Sequence, residues 1–344
     1  MRTLLPVVLV IVLAAAPRTA AQEVVLRLHH FLAESSPVHA EYLAPWARRV
    51  ERSSDGRIAV DIFANMQLGG APASLYDQVA TGVVDLAWTL PGYTPGRFPV
   101  TEVFELPFMS GLAEDASPAL CAFYQEHLRS EYSDVHPLVL HTSGAGLFHV
   151  RGGTIRGIGD VAGLKIRGPS RATTEALALL DAEPIGMPVP QVPEALARGV
   201  VDGALLPWEV TAPLRVAELV DSHTGFDAPH GLYASTFLLA MNRDAYLRLP
   251  DDLRAAIDAN SMAAGCDESR IAGTILDAAD ARARVLAERE GNDVHLIPND
   301  AVRVWEERLA PLHARWIQDM NALGFDGEAL LARARELIAT YEAD

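Results

Sequence analysis

The chain has 344 residues, half of them hydrophobic, and a formal charge of −17. That length allows two domains with sizeable cores. So acidic a surface argues against nucleic acid and anionic lipid as partners, which it would repel, but it leaves a small anionic ligand open, because a single arginine can dominate a cleft.

Residues 1–21 read as a signal peptide. Arg2 supplies a positive start, Leu4–Ala16 is apolar, and Thr19-Ala20-Ala21 offers small residues for cleavage before Gln22. The apolar run falls short of the roughly 20 residues a membrane span needs, so an exported, soluble, periplasmic protein is expected. The two cysteines, Cys121 and Cys266, lack metal spacing and read as two buried free thiols, although an oxidising compartment would let them pair.

Val24–His30 is β-branched at its start and reads as the first strand, followed by a loop, Phe31–Pro37. Tyr42, Leu43, Trp46, Ala47 and Val50 have helical spacing within Val38–Arg52, at the cost of Pro45 inside the run. Ile58, Val60 and Ile62 alternate in a strand Arg57–Phe63. A helix Ala73–Thr81 stops at Gly82, and Val83–Trp88 is strand. This βαβαβ order is that of a sheet covered by helices.

A turn-rich loop, Pro91–Pro99, leads to a helix at about Ala116–Glu131. Strands Leu138–Thr142 and Phe148–Val150 follow, separated by Ser143-Gly144-Ala145-Gly146. Leu164–Arg167 is strand, Ser170–Leu180 and Pro188–Arg198 are helical, and Val200–Leu206 is strand. Ala80-Thr81-Gly82-Val83-Val84-Asp85 is echoed by Ala197-Arg198-Gly199-Val200-Val201-Asp202, which suggests two lobes of matching topology. Leu232–Met241 suits a strand returning between them. Pro250 with Asp251 and Asp252 starts a helical region that runs to about Glu290. Val294–Ile297 is a short strand, and Ala301–Thr340 is helix broken near Gly324–Gly327.

No nucleophile elbow, phosphate-binding loop, H-E-x-x-H or C-x-x-C occurs in a fitting context. No cofactor is expected. His29 and His30 are neighbours on a strand and point to opposite faces, so with His39, His141 and His149 they are not read as a metal site. Arg167 stands out in Gly163–Arg171, GLKIRGPSR. It ends an apolar run and precedes Gly168-Pro169, a rim position, and a guanidinium fork matches a carboxylate. Phe31, Trp88, Tyr93, Phe148 and Trp208 lie near loop starts and are candidate ligand contacts, as are Ser170 and Glu209.

GLKIRGPSR, the two GVVD copies, QLGG at Gln67–Gly70, the GYTPGRFP loop, LPF at Leu106–Phe108 and LRLPDDLRAAI at Leu247–Ile257 together resemble the DctP-type solute receptors of tripartite ATP-independent periplasmic (TRAP) transporters. The resemblance covers nearly all of the mature chain. It implies an α/β, two-lobed periplasmic binding protein fold with two hinge strands and a long helix spanning both lobes. Lobe I would comprise 22–143, with 233–262 returning to it, and lobe II 144–232, with 263–344 packing on both. It implies that Arg167 binds a small organic acid's carboxylate, and that the partners are a small and a large integral membrane subunit driven by an ion gradient.

Sialic-acid receptors of that family carry a second arginine where Leu147 stands. Leu90, Leu205, Leu206 and Pro207 also replace polar residues of the family pattern. An apolar ligand body is therefore expected, since burying it is worth about 25 cal/mol per Å². The ligand would be an aromatic or otherwise apolar monocarboxylate, with Met187 or Val189 on the far wall. Two other readings stay open: an exported enzyme acting on a small carboxylic acid, with Ser170 or Glu209 as its reactive group, and a ligand-binding sensory module.

Overall fold

The computed structural model describes residues 22–343. The expected signal peptide lies outside the described residues. Two mixed sheets are built from β1 (Val24–His29), β2 (Ile58–Phe63), β3 (Leu86–Thr89), β4 (Val135–Thr142), β5 (Leu147–Val150), β6 (Lys165–Gly168), β7 (Glu183–Gly186), β8 (Gly203–Leu206), β9 (Ser222–Phe226), β10 (Thr236–Asn242) and β11 (Asp293–Ile297). The first sheet has the order β2-β1-β3-β10-β4 and the second β11-β9-β5-β8-β6-β7.

The chain passes from one sheet to the other at two adjacent places. β4 runs on through Ser143–Gly146 into β5, and the return path reaches β10 through Tyr233–Ser235. The two crossings pair with each other: Ser143 N donates to Ser235 O at 2.9 Å and Gly146 N to Tyr233 O at 2.8 Å. Gly146 is required here, because a Cβ would sit 2.1 Å from the Tyr233 ring. β10 then lies antiparallel between β3 and β4, and β5 lies antiparallel between β8 and β9. Each sheet thus receives one strand that comes directly from the other lobe.

The helix Asp267–Glu290 binds both lobes. Asp267 and Glu268 sit at its positive N-terminal end, and Gly291, at φ 89°, terminates it. Ala272, Leu276, Ala279, Ala283 and Ala287 form its buried stripe. Asp277 accepts from the Ala113 and Glu114 amides at 2.9 and 2.8 Å, which caps the helix Ala113–Phe123 of the first lobe. One turn on, Asp280 accepts from the Glu209 amide of the second lobe at 2.5 Å.

Several expectations change. Cys121 and Cys266 are not free thiols; they form a disulfide that ties the helix Ala113–Phe123 to the residue before the long helix. β3 begins at Leu86, not Val83, whose side chain is half exposed in the preceding turn. β7 and β9 were not expected. Pro184 makes β7 look like a loop, but it is an edge strand, where proline is tolerated. β9, SHTGF, lacks an apolar run because its polar side chains are paired inside the lobe.

Candidate ligand-binding site

Arg167 lies on β6 beside β8, and its side chain is only 2% exposed. Nε donates to Met187 O at 2.9 Å and Nη1 to Leu205 O at 2.8 Å. No carboxylate among the described residues lies within 4.0 Å of it. Two carbonyl dipoles hold the fork in place but leave its charge uncompensated, and an uncompensated buried charge is costly.

The guanidinium borders a narrow cavity between the lobes. It is the sole cationic side chain in the lining. Aromatic residues form much of the wall. Phe31 lies 5.0 Å from Trp88 and 5.4 Å from Tyr93, and Trp88 stacks on Phe237 at 4.7 Å. Trp88 Nε1 donates to His141 Nε2 at 3.0 Å, so that nitrogen carries no proton. Burial agrees, lowering the His141 pKa to about 4 and keeping the ring neutral.

Tyr93 follows β3 and reaches across the cleft, where its hydroxyl accepts from the Val189 amide at 2.9 Å. Burial raises its pKa and keeps it neutral beside Arg167. A second bridge between the lobes lies outside the cavity: Arg171 Nη2 donates to Glu102 Oε2 at 2.6 Å and Nε to Oε1 at 3.3 Å. The lobes are therefore closed on each other.

Glu209 also lines the cavity and is buried. Burial, then the neighbouring Asp280 carboxylate, pushes its pKa well above the usual range. Burial likewise raises Asp280 to about 7 and Asp277 to about 6.

The structure thus brings Arg167, Phe31, Trp88, Tyr93 and Glu209 together around one cavity, with Leu90, Val189, Leu206 and Pro207. It does not bring four other candidates there. Phe148 is in the core of the second lobe, 5.9 Å from Trp305, because its position on β5 faces the helical layer. Trp208 turns to the opposite side of the hinge and packs on His149 and His223 at 5.3 and 4.6 Å. Met187 contributes its carbonyl to Arg167, not its side chain to the lining. Ser170 precedes the helix Arg171–Leu179, where its amide and hydroxyl meet Thr173 Oγ1. Leu147, expected at the place of the second arginine of sialic-acid receptors, also faces away, packing with Trp208, Ala283 and Ala287.

Tyr233, Ser235 and Phe237 line the cavity and were missed. Their signal was present: they alternate along the returning segment, so they share one face of an extended chain. Among the described residues, no group of three or more His, Cys, Asp or Glu is placed to hold a metal ion.

Residues 28–319 match the family model described as bacterial extracellular solute-binding protein, family 7. The chain belongs to that family. Three solved structures are similar to this family 7 receptor over most of both chains. A TRAP solute-binding protein from Rhodoferax ferrireducens T118, in complex with copurified benzoate, is 44% identical, covering 93% of this chain and 98% of its own, with a TM-score of 0.90. A marine metagenome TRAP solute-binding protein from an unidentified microbe, described as specific for aromatic acid ligands and crystallised with 3-hydroxybenzoate, is 38% identical over 93% and 99%, with a TM-score of 0.90. One from Bordetella bronchiseptica, with bound mandelate, is 30% identical over 92% and 99%, with a TM-score of 0.84.

Proposed function

We propose that this family 7 receptor binds an aromatic monocarboxylate in the periplasm and delivers it to a TRAP permease made of a small and a large membrane subunit. Arg167 would take the carboxylate, and Phe31, Trp88, Tyr93 and Phe237 would enclose the ring. The observation that carries this reading is the buried Arg167 guanidinium, without a carboxylate partner among the described residues, facing a ring-walled cavity. One cation matches one carboxylate; a dicarboxylate would bring a second charge that no lining side chain compensates. The benzoate, 3-hydroxybenzoate and mandelate complexes of the similar proteins support the same ligand class.

Lobe I would comprise 22–143 with 233–262, and lobe II 144–232, with the remaining residues packing on both. The paired crossings at Ser143–Gly146 and Tyr233–Ser235 would be the hinge. The ligand would favour closure through contacts to both lobes that exist only in the closed state.

Thermal unfolding in the presence of benzoate, succinate and gluconate tests the ligand class. Benzoate at 100 times its dissociation constant should add about 2.7 kcal/mol of stability. Stabilisation by succinate or gluconate with none by benzoate overturns the proposal.

A further inference from the structure

Two buried oxygen-bearing side chains, Glu209 and Tyr233, line the cavity. The Tyr233 hydroxyl has no hydrogen-bond partner among the described residues, and the Glu209 carboxyl has none beyond the neighbouring Asp280 carboxyl, with which it shares a proton. Glu209 is 1% exposed and Tyr233 2%. An unpaired buried polar group costs about 1–3 kcal/mol, so the Tyr233 hydroxyl calls for a partner from the cavity's occupant, and the Glu209 carboxyl keeps acceptor capacity beside it. Tyr233 lies within electrostatic reach of both Arg167 and Glu209. The backbone is built around this arrangement: Gly146 leaves room for the Tyr233 ring, and the Asp280 carboxylate fixes the Glu209 amide.

We propose that Glu209 and Tyr233 form a second polar contact for the ligand, and that the preferred ligand is an aromatic monocarboxylate bearing a ring hydroxyl. This deepens the reading above and rests on it. A phenolic hydroxyl both gives and accepts a hydrogen bond, so it can answer a carboxyl group and a tyrosine hydroxyl together. A second carboxylate would meet no second cation in the lining. Arg167 would fix one end of the ring and the Glu209–Tyr233 pair would choose the substituent.

Calorimetric titration of the mature protein with benzoate, 3-hydroxybenzoate and 4-hydroxybenzoate tests this. The better hydroxybenzoate should bind at least about tenfold more tightly than benzoate. In Glu209→Leu that ratio should fall to within about threefold of one, and Tyr233→Phe should lower it by a smaller factor. Glu209→Gln, which keeps hydrogen-bonding capacity and nearly the same shape, should retain a preference, and it serves where the leucine variant does not fold. Equal binding of benzoate and both hydroxybenzoates by the wild-type protein overturns this inference and leaves the aromatic-acid reading standing. An undiminished ratio in the Glu209 and Tyr233 variants also overturns it. Binding of none of the three acids overturns both.

Discussion

The two GVVD copies build the same local device and then deliver opposite chemistry. In the first lobe Gly82 has φ 77°, and in the second Gly199 has φ 66°. Val83 and Val200 are half exposed, while Val84 and Val201 are fully buried. Asp85 Oδ2 accepts from the Arg27 amide at 2.9 Å, and Asp202 Oδ2 accepts from the Lys165 amide at 2.9 Å. Each copy thereby pins its strand, β3 or β8, beside the next and aims that strand's end at the cleft. β3 and the turn after it present Trp88, Leu90 and Tyr93, an apolar and aromatic wall. β8 leads to Glu209 and holds the Arg167 fork through the Leu205 carbonyl. In the proposed site one lobe would supply ring contacts and the other charge, so recognition would need both halves, and a strand-end scaffold can be repeated without repeating its site.

The largest expected effect separates these two contributions. Arg167→Met should weaken benzoate binding by about 3–5 kcal/mol while leaving the unliganded protein as stable or more so, because it removes a buried charge and keeps the volume. Trp88→Ala should lower unfolding free energy by about 3–5 kcal/mol by opening a cavity in the opposite wall. Calorimetry and denaturant unfolding of both variants check the split; unchanged affinity in Arg167→Met would remove it from the site.

Next comes acid sensitivity, which both lobes share. Burial lowers His30 to about 3 and His141 to about 4 in the first lobe, and His223 to about 4 in the second. These rings stay neutral when folded and take up protons when unfolded, so their contribution is complete above pH 6.5 and is lost as the pH falls towards 4. At pH 5 each costs about 2 kcal/mol. Asp280 and Asp277 run the other way: their raised values add stability at low pH that is lost between about 4 and 7. Glu209 acts with them, so the raised carboxyls match these histidines in number and the test is a difference: between pH 7.5 and 5 His223→Asn should lose about 2 kcal/mol less stability than the wild-type protein. The same pH dependence in His223→Asn and the wild-type protein contradicts the assignment.

The smallest effect tests the repeat itself. Gly82→Ala and Gly199→Ala meet no neighbour closer than 3.5 Å, so each cost arises from the left-handed backbone alone. Each should lose about 1–2 kcal/mol in denaturant unfolding, and the two losses should agree within about 0.5 kcal/mol. Clearly unequal losses would show that the two turns are not the same device.

Sequence by itself determined the two-lobed α/β plan, the repeated strand-ending motif and Arg167, because periodicity, turn residues and a lone arginine after an apolar run are local features. It also placed Phe31, Trp88, Tyr93 and Glu209 near the right loops. It could not decide which aromatic residue turns inward: Trp208 and Glu209 are adjacent, yet the acid faces the cavity and the indole the far side of the hinge. Nor could it join Cys121 to Cys266, or bring Tyr233, Ser235 and Phe237 to the cavity. Those outcomes depend on how the long helix and the paired crossings set one lobe against the other, and contacts between residues far apart in the chain leave no local pattern to read.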